Sequence, residues 1–166
     1  MQILKQTFKQ FLVAILVSAL SLATQAATLT GTVVGISDGD TIKVLDSNKK
    51  EHKIRLMGID APEKKQEFGN ESKKALSNYI YQKEVTVEYK KQDRYKRKVG
   101  KVIFEGKDIC LAMIELGMAW HYKDYEKEQS KLDRDLYSNA EIKAREEKIG
   151  IWQASNPIAP SEFRHK

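Results

Sequence analysis

Three short runs rich in Val, Ile and Thr follow one another between Leu29 and Ile59, separated only by turn residues, and this spacing constrains the fold most. Leu29 to Ile36 and Thr41 to Asp46 flank Ser37-Asp38-Gly39, and Asp46-Ser47-Asn48-Lys49 leads into Glu51 to Ile59. In the third run His52, Ile54 and Leu56 alternate with Lys53, Arg55 and Met57. Alternation between turn clusters predicts three strands in a meander. Helical spacing of Ala75, Leu76, Ile80 and Tyr81 predicts a helix over Asn70 to Gln82. Strands follow at Glu84 to Tyr89 and Lys98 to Phe104, then helices at Asp108 to Leu116 and Lys131 to Lys148. Gly117 and Gly150 stop these helices, and Leu132, Leu136, Ala140 and Ala144 form the expected buried stripe of the second. The expected fold is α+β: a partly open, five-stranded OB-fold-like β-barrel with three α-helices, one between strands 3 and 4 and two C-terminal.

Composition narrows the class. The chain has 166 residues, 41% of them hydrophobic, which suits one domain and excludes wholesale disorder. A single cysteine, Cys110, closes no intramolecular disulfide and sits in an apolar stretch expected to bury it. His52, His121 and His165 lack metal-ligand spacing and are expected at the surface or the barrel mouth.

The first residues follow a different pattern. Lys5 and Lys9 precede an apolar run from Phe11 to Ala23, and Thr24-Gln25-Ala26-Ala27 offers small residues after it. That order describes a secretory signal peptide, expected to be cut after Ala26, and the run is too short to span a membrane. The expected organisation is a signal peptide over 1–26, one domain over 27–154 and an exposed tail over 155–166. The protein is then secreted or periplasmic, a monomer with no membrane attachment in its mature form. The whole chain carries 29 Lys and Arg against 23 Asp and Glu, a net +6. The first 26 residues hold two lysines and no acid, leaving 27 against 23, or +4.

The carboxylates carry the chemistry. Asp40 begins the second strand and Asp60 follows the third, and partners across the intervening turn have numbers summing to about 98. Asp40 then lies opposite Gly58 and Ile59, beside Asp60, with Glu63 close behind Ala61-Pro62. Arg55 lies on the strand face opposite Ile54 and Leu56, so a guanidinium joins three carboxylates at one hairpin end. Hard oxygens without Cys or His suit Ca²⁺ or Mg²⁺. Arginine forks suit phosphate, and a spare carboxylate suits work on water. A solvated hairpin end, with Asp and Arg merely capping and pairing, accounts for the same pattern. A second basic run, Lys90 to Lys98, contains Tyr95, which could stack on a base while its neighbours track phosphates; a solvated charged loop is the alternative.

Ser37-Asp38-Gly39-Asp40-Thr41, Ile54-Arg55-Leu56, Ile59-Asp60-Ala61-Pro62-Glu63 and Asp93-Arg94-Tyr95-Lys96-Arg97 together resemble the staphylococcal-type thermonucleases. Gly117-Met118-Ala119-Trp120 and Gly150-Ile151-Trp152 resemble that family's C-terminal landmarks. The resemblance implies calcium-dependent hydrolysis of DNA and RNA, with low sequence specificity and 3′-phosphate products. It implies that Asp40, Asp60 and the carbonyl of Ala61 hold Ca²⁺, that Glu63 acts on the attacking water, and that Arg55 and Arg97 grip the phosphate. Tyr95 and Tyr125 are implied beside the nucleotide, and Trp120 and Tyr122 are expected as core or rim. Lys96 stands where the family's loop carries glycine; if that position has positive φ, lysine costs about 1–2 kcal/mol. An OB-fold that binds single strands without cutting them is the alternative, and adhesion to an acidic polysaccharide a third reading.

Overall fold

The computed structural model describes residues 26–165. The expected signal peptide lies, except for Ala26, outside the described residues. Five strands form the barrel: β1 (Ala27–Ile36), β2 (Thr41–Asp46), β3 (Glu51–Leu56), β5 (Glu84–Gln92) and β6 (Lys98–Phe104). They run in the order β3-β2-β1-β5-β6, and a parallel pairing of β3 with β6 closes the cylinder that the sequence pattern leaves partly open. Period-two alternation places Val33, Ile42, Val44, Ile54, Leu56, Val85, Val87 and Val102 inside, each at most 1% exposed. Closure leaves none of these strands with a free edge along the β3–β6 seam.

Helix α1 (Gly69–Ile80) buries Leu76 and Ile80 against the barrel, and α2 (Ile109–Glu115) adds Ile109, Cys110 and Met113. Burial pushes the Cys110 thiol far above its ordinary range, as an inert core cysteine requires. Helix α3 (Lys131–Glu146) turns only the C-terminal half of the expected stripe inward, with Ala144 buried and Ala140 packed against the core. Leu132 and Leu136 are exposed, at 67% and 44%, while Tyr137, Glu141 and Ala144 are buried. Partners for polar atoms explain the difference. Tyr137 donates its hydroxyl to Asp108 at 2.8 Å, and Glu141 accepts from the His121 backbone at 3.2 Å and from Lys123 at 2.6 Å. His121 is therefore buried and not at the surface, with its Nε2 2.9 Å from Gln129 Oε1.

The third strand does not run unbroken to Ile59. Gly58 adopts φ 75°, and a Cβ there would meet Gln129 Nε2 at 2.4 Å, so the chain bends after Leu56. It resumes as β4 (Ile59–Asp60), antiparallel to β8 (Trp120–His121), with the short β7 (Lys107–Asp108) on the edge of β6. The β2–β3 register also differs by two from the expected one. Thr41 faces Arg55, and the Leu56 N–H donates to the Asp40 carbonyl at 2.8 Å. A shift of two keeps every side chain on its expected face. The bend, not the register, brings Asp60 back toward Asp40.

Beyond the 3₁₀ turn Gly150–Gln153, the chain is not the expected exposed tail. It folds back through helix α4 (Pro160–Phe163), with Pro160 buried and the Ile158 carbonyl accepting from Gln66 Nε2 at 2.7 Å. Truncating two leucines separates core from surface. Leu76→Ala is expected to cost about 2–5 kcal/mol in urea denaturation, and Leu132→Ala less than about 0.5 kcal/mol.

Candidate active site

Arg55 organises the site. Its Nη1 donates to the carbonyls of Leu56 and Ile59 at 2.9 and 2.8 Å, fixing the guanidinium inside the bend at Gly58. Its Nη2 lies 3.0 Å from Asp60 Oδ1 and 3.2 Å from Asp40 Oδ2. Two buried carboxylates thus converge on one nitrogen. Asp40 is held further by the Thr41 hydroxyl at 3.0 Å and by the Ala61 N–H at 2.8 Å. The β1–β2 turn approaches this point because Gly39 has no side chain; a Cβ there would lie 1.8 Å from Ser72 Oγ and 2.7 Å from the Ala61 Cβ.

Glu63 sits on the loop between β4 and α1. Its N–H donates to Gln66 Oε1 at 3.0 Å, while its carboxylate is half-exposed toward the cleft. Arg97 starts from the opposite wall, on the loop between β5 and β6. Asp93 builds that loop: one carboxylate oxygen accepts the Tyr95 and Arg97 N–H groups at 2.9 and 3.0 Å, and the other accepts Arg97 Nε at 2.6 Å. Lys96 takes φ 61° here, and its N–H donates to the Asp93 carbonyl at 2.9 Å, a tight turn closed by one left-handed residue. The expected position for a left-handed lysine is therefore the observed one.

A cleft of about 630 Å³ is lined by Asp40, Arg55, Asp60, Ala61, Glu63, Tyr95, Arg97 and Tyr125, which gathers every residue singled out in the sequence. Tyr95 is exposed, with the Arg97 guanidinium 5.4 Å and that of Arg94 4.8 Å from its ring. Tyr125 lies across the cleft, 4.9 Å from the Tyr122 ring, near Lys91, which pairs with Glu128. Trp120 packs against Trp152, with Arg145 over both rings, so it supports the rim.

Four residues at the cleft have little signature in sequence. Asp38 accepts the Asp40 N–H at 3.1 Å and lines the cleft; only its turn context marked it. Tyr122 presents its ring 6.0 Å from the Arg55 guanidinium. Asp93 opens the Asp93-Arg94-Tyr95-Lys96-Arg97 motif and favours the start of a turn, but nothing in the sequence marks it as the partner of Arg97. Arg164, from the supposed tail, donates to both Asp60 oxygens at 3.2 and 3.0 Å and to Glu63 at 2.7 Å.

The electrostatics follow from this crowding. Burial, reinforced by the charge of Asp40, raises the Asp38 carboxyl to about 6. Burial likewise pushes Asp60 above its ordinary range, against the hydrogen bond from Arg164 and the charge of Arg55. Burial opposes the charge on Arg164, but its bonds to Asp60 and Glu63 outweigh that and hold its proton more firmly. The donor set is all hard oxygen, with neither Cys nor His, and two arginines already rest on it as cations. It fits a hard divalent ion. Among the described residues no group of three or more His, Cys, Asp or Glu side chains forms a ready cage. An ion here would rest on one or two carboxylates, backbone oxygen, and water or phosphate.

The family described as staphylococcal nuclease homologue matches residues 53–154. The chain belongs to the staphylococcal nuclease family. An uncharacterized endonuclease of Haemophilus influenzae is 44% identical over 134 residues, covering 81% of this chain and 72% of that protein. An uncharacterized endonuclease of Escherichia coli O157:H7 is 38% identical over 137 residues, covering 82% and 85%. A micrococcal nuclease of Shigella flexneri is 37% identical over 143 residues, covering 81% and 79%. The family match contains Arg55, Asp60, Ala61, Glu63 and Arg97, while Asp40 lies before its first residue and meets Asp60 through the bend at Gly58.

Two stability measurements test this geometry. Lys96→Gly is expected to raise stability by about 1 kcal/mol, because glycine adopts positive φ without steric cost. The second concerns Asp38, whose raised pKa means that the folded chain holds its proton more tightly than the unfolded one. Its contribution is therefore favourable at low pH and is lost as pH rises from about 4 to about 6. In chelator, Asp38→Asn should match the parent chain near pH 4 and exceed it by about 1–3 kcal/mol above pH 6. Parallel stability curves across that range would contradict the assignment.

Proposed function

We propose that the protein is a calcium-dependent nuclease that hydrolyses phosphodiester bonds of DNA and RNA with low sequence specificity. The observation that carries this reading is the convergence of Asp40 and Asp60 on Arg55 in one cleft with Glu63 and Arg97. A pure binding surface gains nothing from buried carboxylates facing a polyanion. Family membership, and the nuclease names of relatives similar over four fifths of the chain, support the same reading.

In this reading the phosphate enters between the walls of the cleft. Arg97, and Arg55 through the Nε–H that its four partners leave over, donate to its non-bridging oxygens and stabilise the charge that builds as the attacking oxygen approaches. Arg55 is already held by two carbonyls and Arg97 by Asp93, so neither fork needs to be ordered when substrate arrives. Glu63 faces the cleft with a half-exposed carboxylate, which accepts the proton of the attacking water or orients that water. Asp40, Asp60 and the Ala61 carbonyl would hold calcium, which when bound would polarise the phosphoryl oxygen and offset its charge. The bond to the 5′ oxygen breaks, solvent water protonates the departing oxygen, and a 3′-phosphate and a 5′-hydroxyl remain. Tyr95 and Tyr125 stack on bases, and stacking and phosphate contacts are tolerant of sequence. The protein works as a secreted or periplasmic monomer after loss of the first 26 residues.

Substitution at two positions tests the roles. Glu63→Gln is expected to lower kcat by roughly 100- to 10,000-fold on single-stranded DNA. Arg55→Ala is expected to lower kcat/KM by a comparable factor. Wild-type rates from both variants would sink the site assignment.

A further inference from the structure

The strap formed by residues 155–165 ends on the carboxylates that the proposed chemistry needs. Its seat is the loop carrying Glu63. Gln66 donates from Nε2 to the Ile158 carbonyl at 2.7 Å and accepts the Glu63 N–H on Oε1 at 3.0 Å, so one side chain joins strap and loop. Pro160 is buried at the start of α4, and the Arg164 N–H donates to the Pro160 carbonyl at 3.0 Å. These contacts aim the guanidinium into the cleft, where it covers both oxygens of Asp60 and one of Glu63.

The two arginines on Asp60 are held differently. The Arg55 side chain is 12% exposed and bonds two backbone carbonyls besides the carboxylates, so it is part of the frame. The Arg164 side chain is 37% exposed, and its side-chain hydrogen bonds go to Asp60 and Glu63. Its guanidinium is therefore tied by hydrogen bonds to these two carboxylates and to no backbone carbonyl. Arg164 also lies beyond the residues that match the family.

A calcium ion needs carboxylate oxygens at about 2.3–2.6 Å. A guanidinium bonded to both oxygens of Asp60 takes the same lone pairs, and the two cations repel. We propose that Arg164 is a built-in competitor for the divalent cation, held on Asp60 and Glu63 by the strap, so that loading the site requires its guanidinium to leave. This rests on the reading of Asp40 and Asp60 as cation ligands. The strap then sets the calcium concentration at which the site fills, and it keeps Glu63 paired until that point.

Isothermal titration calorimetry with calcium alone, without nucleic acid, tests the proposal on the whole mature chain. Arg164→Ala and Arg164→Gln are expected to bind calcium about tenfold more tightly than the parent. Thermal unfolding in chelator checks that each variant is folded, and two variants guard against one that is not. Equal or weaker calcium binding by folded variants would overturn the competitor role while leaving the cation site standing. Absence of calcium binding in the parent and both variants would overturn the competitor and the cation site together.

Discussion

Everything at the cleft depends on the hold of Arg55 on two carboxylates. Burying Asp40 and Asp60 side by side is unfavourable, because each loses hydration and repels the other. Arg55 offsets that cost only because its guanidinium cannot drift: the Leu56 and Ile59 carbonyls fix one nitrogen, leaving the other between the acids. The bend at Gly58 presents both carbonyls to one side chain, and it also returns Asp60 toward the start of β2. Arginine suits this position because its planar fork serves several acceptors at once, which an ammonium on a flexible stem does not.

The barrel converts that local knot into a cleft with two walls. Parallel pairing of β3 with β6 sets Arg55 beside Val99, and β6 leads directly out of the loop that Asp93 builds around Arg97. Arg97 Nη1 lies 3.4 Å from the hydroxyl of Thr41, which itself bonds Asp40, so the two arginine systems meet at one threonine. The acids and the basic loop come from segments separated in sequence by helix α1 and strand β5, and barrel closure joins them. The net positive charge of the chain acquires meaning through this placement, since a phosphate backbone drawn to the basic loop arrives beside the acids.

Much of this is legible in the sequence, and the exceptions have physical causes. Strands β1, β2, β3, β5 and β6 follow from alternation. A register shift of two leaves every side chain on its expected face because the side-chain period is also two, and the bend at Gly58 then brings Asp60 to Asp40. The break at Gly58 hides inside an alternating run that continues through Ile59, since one glycine carries the change of direction. Helix α3 misleads because leucines outweigh a tyrosine and a glutamate on any hydrophobicity pattern. Tyr137 and Glu141 nevertheless go inward, where Asp108 and the His121 backbone complete their hydrogen bonds. Arg164 is invisible in the sequence because its partners, Asp60 and Glu63, lie about a hundred residues earlier, and proline-flanked polar segments read as tails. Residues whose role depends on local turns or strand parity are thus readable, and those whose role depends on distant partners are not.

End-group analysis tests the central claim, that this constellation cuts phosphodiesters with a hard divalent cation, most directly. The protein over residues 27–166 would be incubated with single-stranded DNA carrying a label at either end, in calcium and in excess chelator. The account predicts fragments bearing 3′-phosphate and 5′-hydroxyl groups in calcium and an intact strand in chelator. An intact strand in calcium, or equal cleavage in chelator, would contradict it.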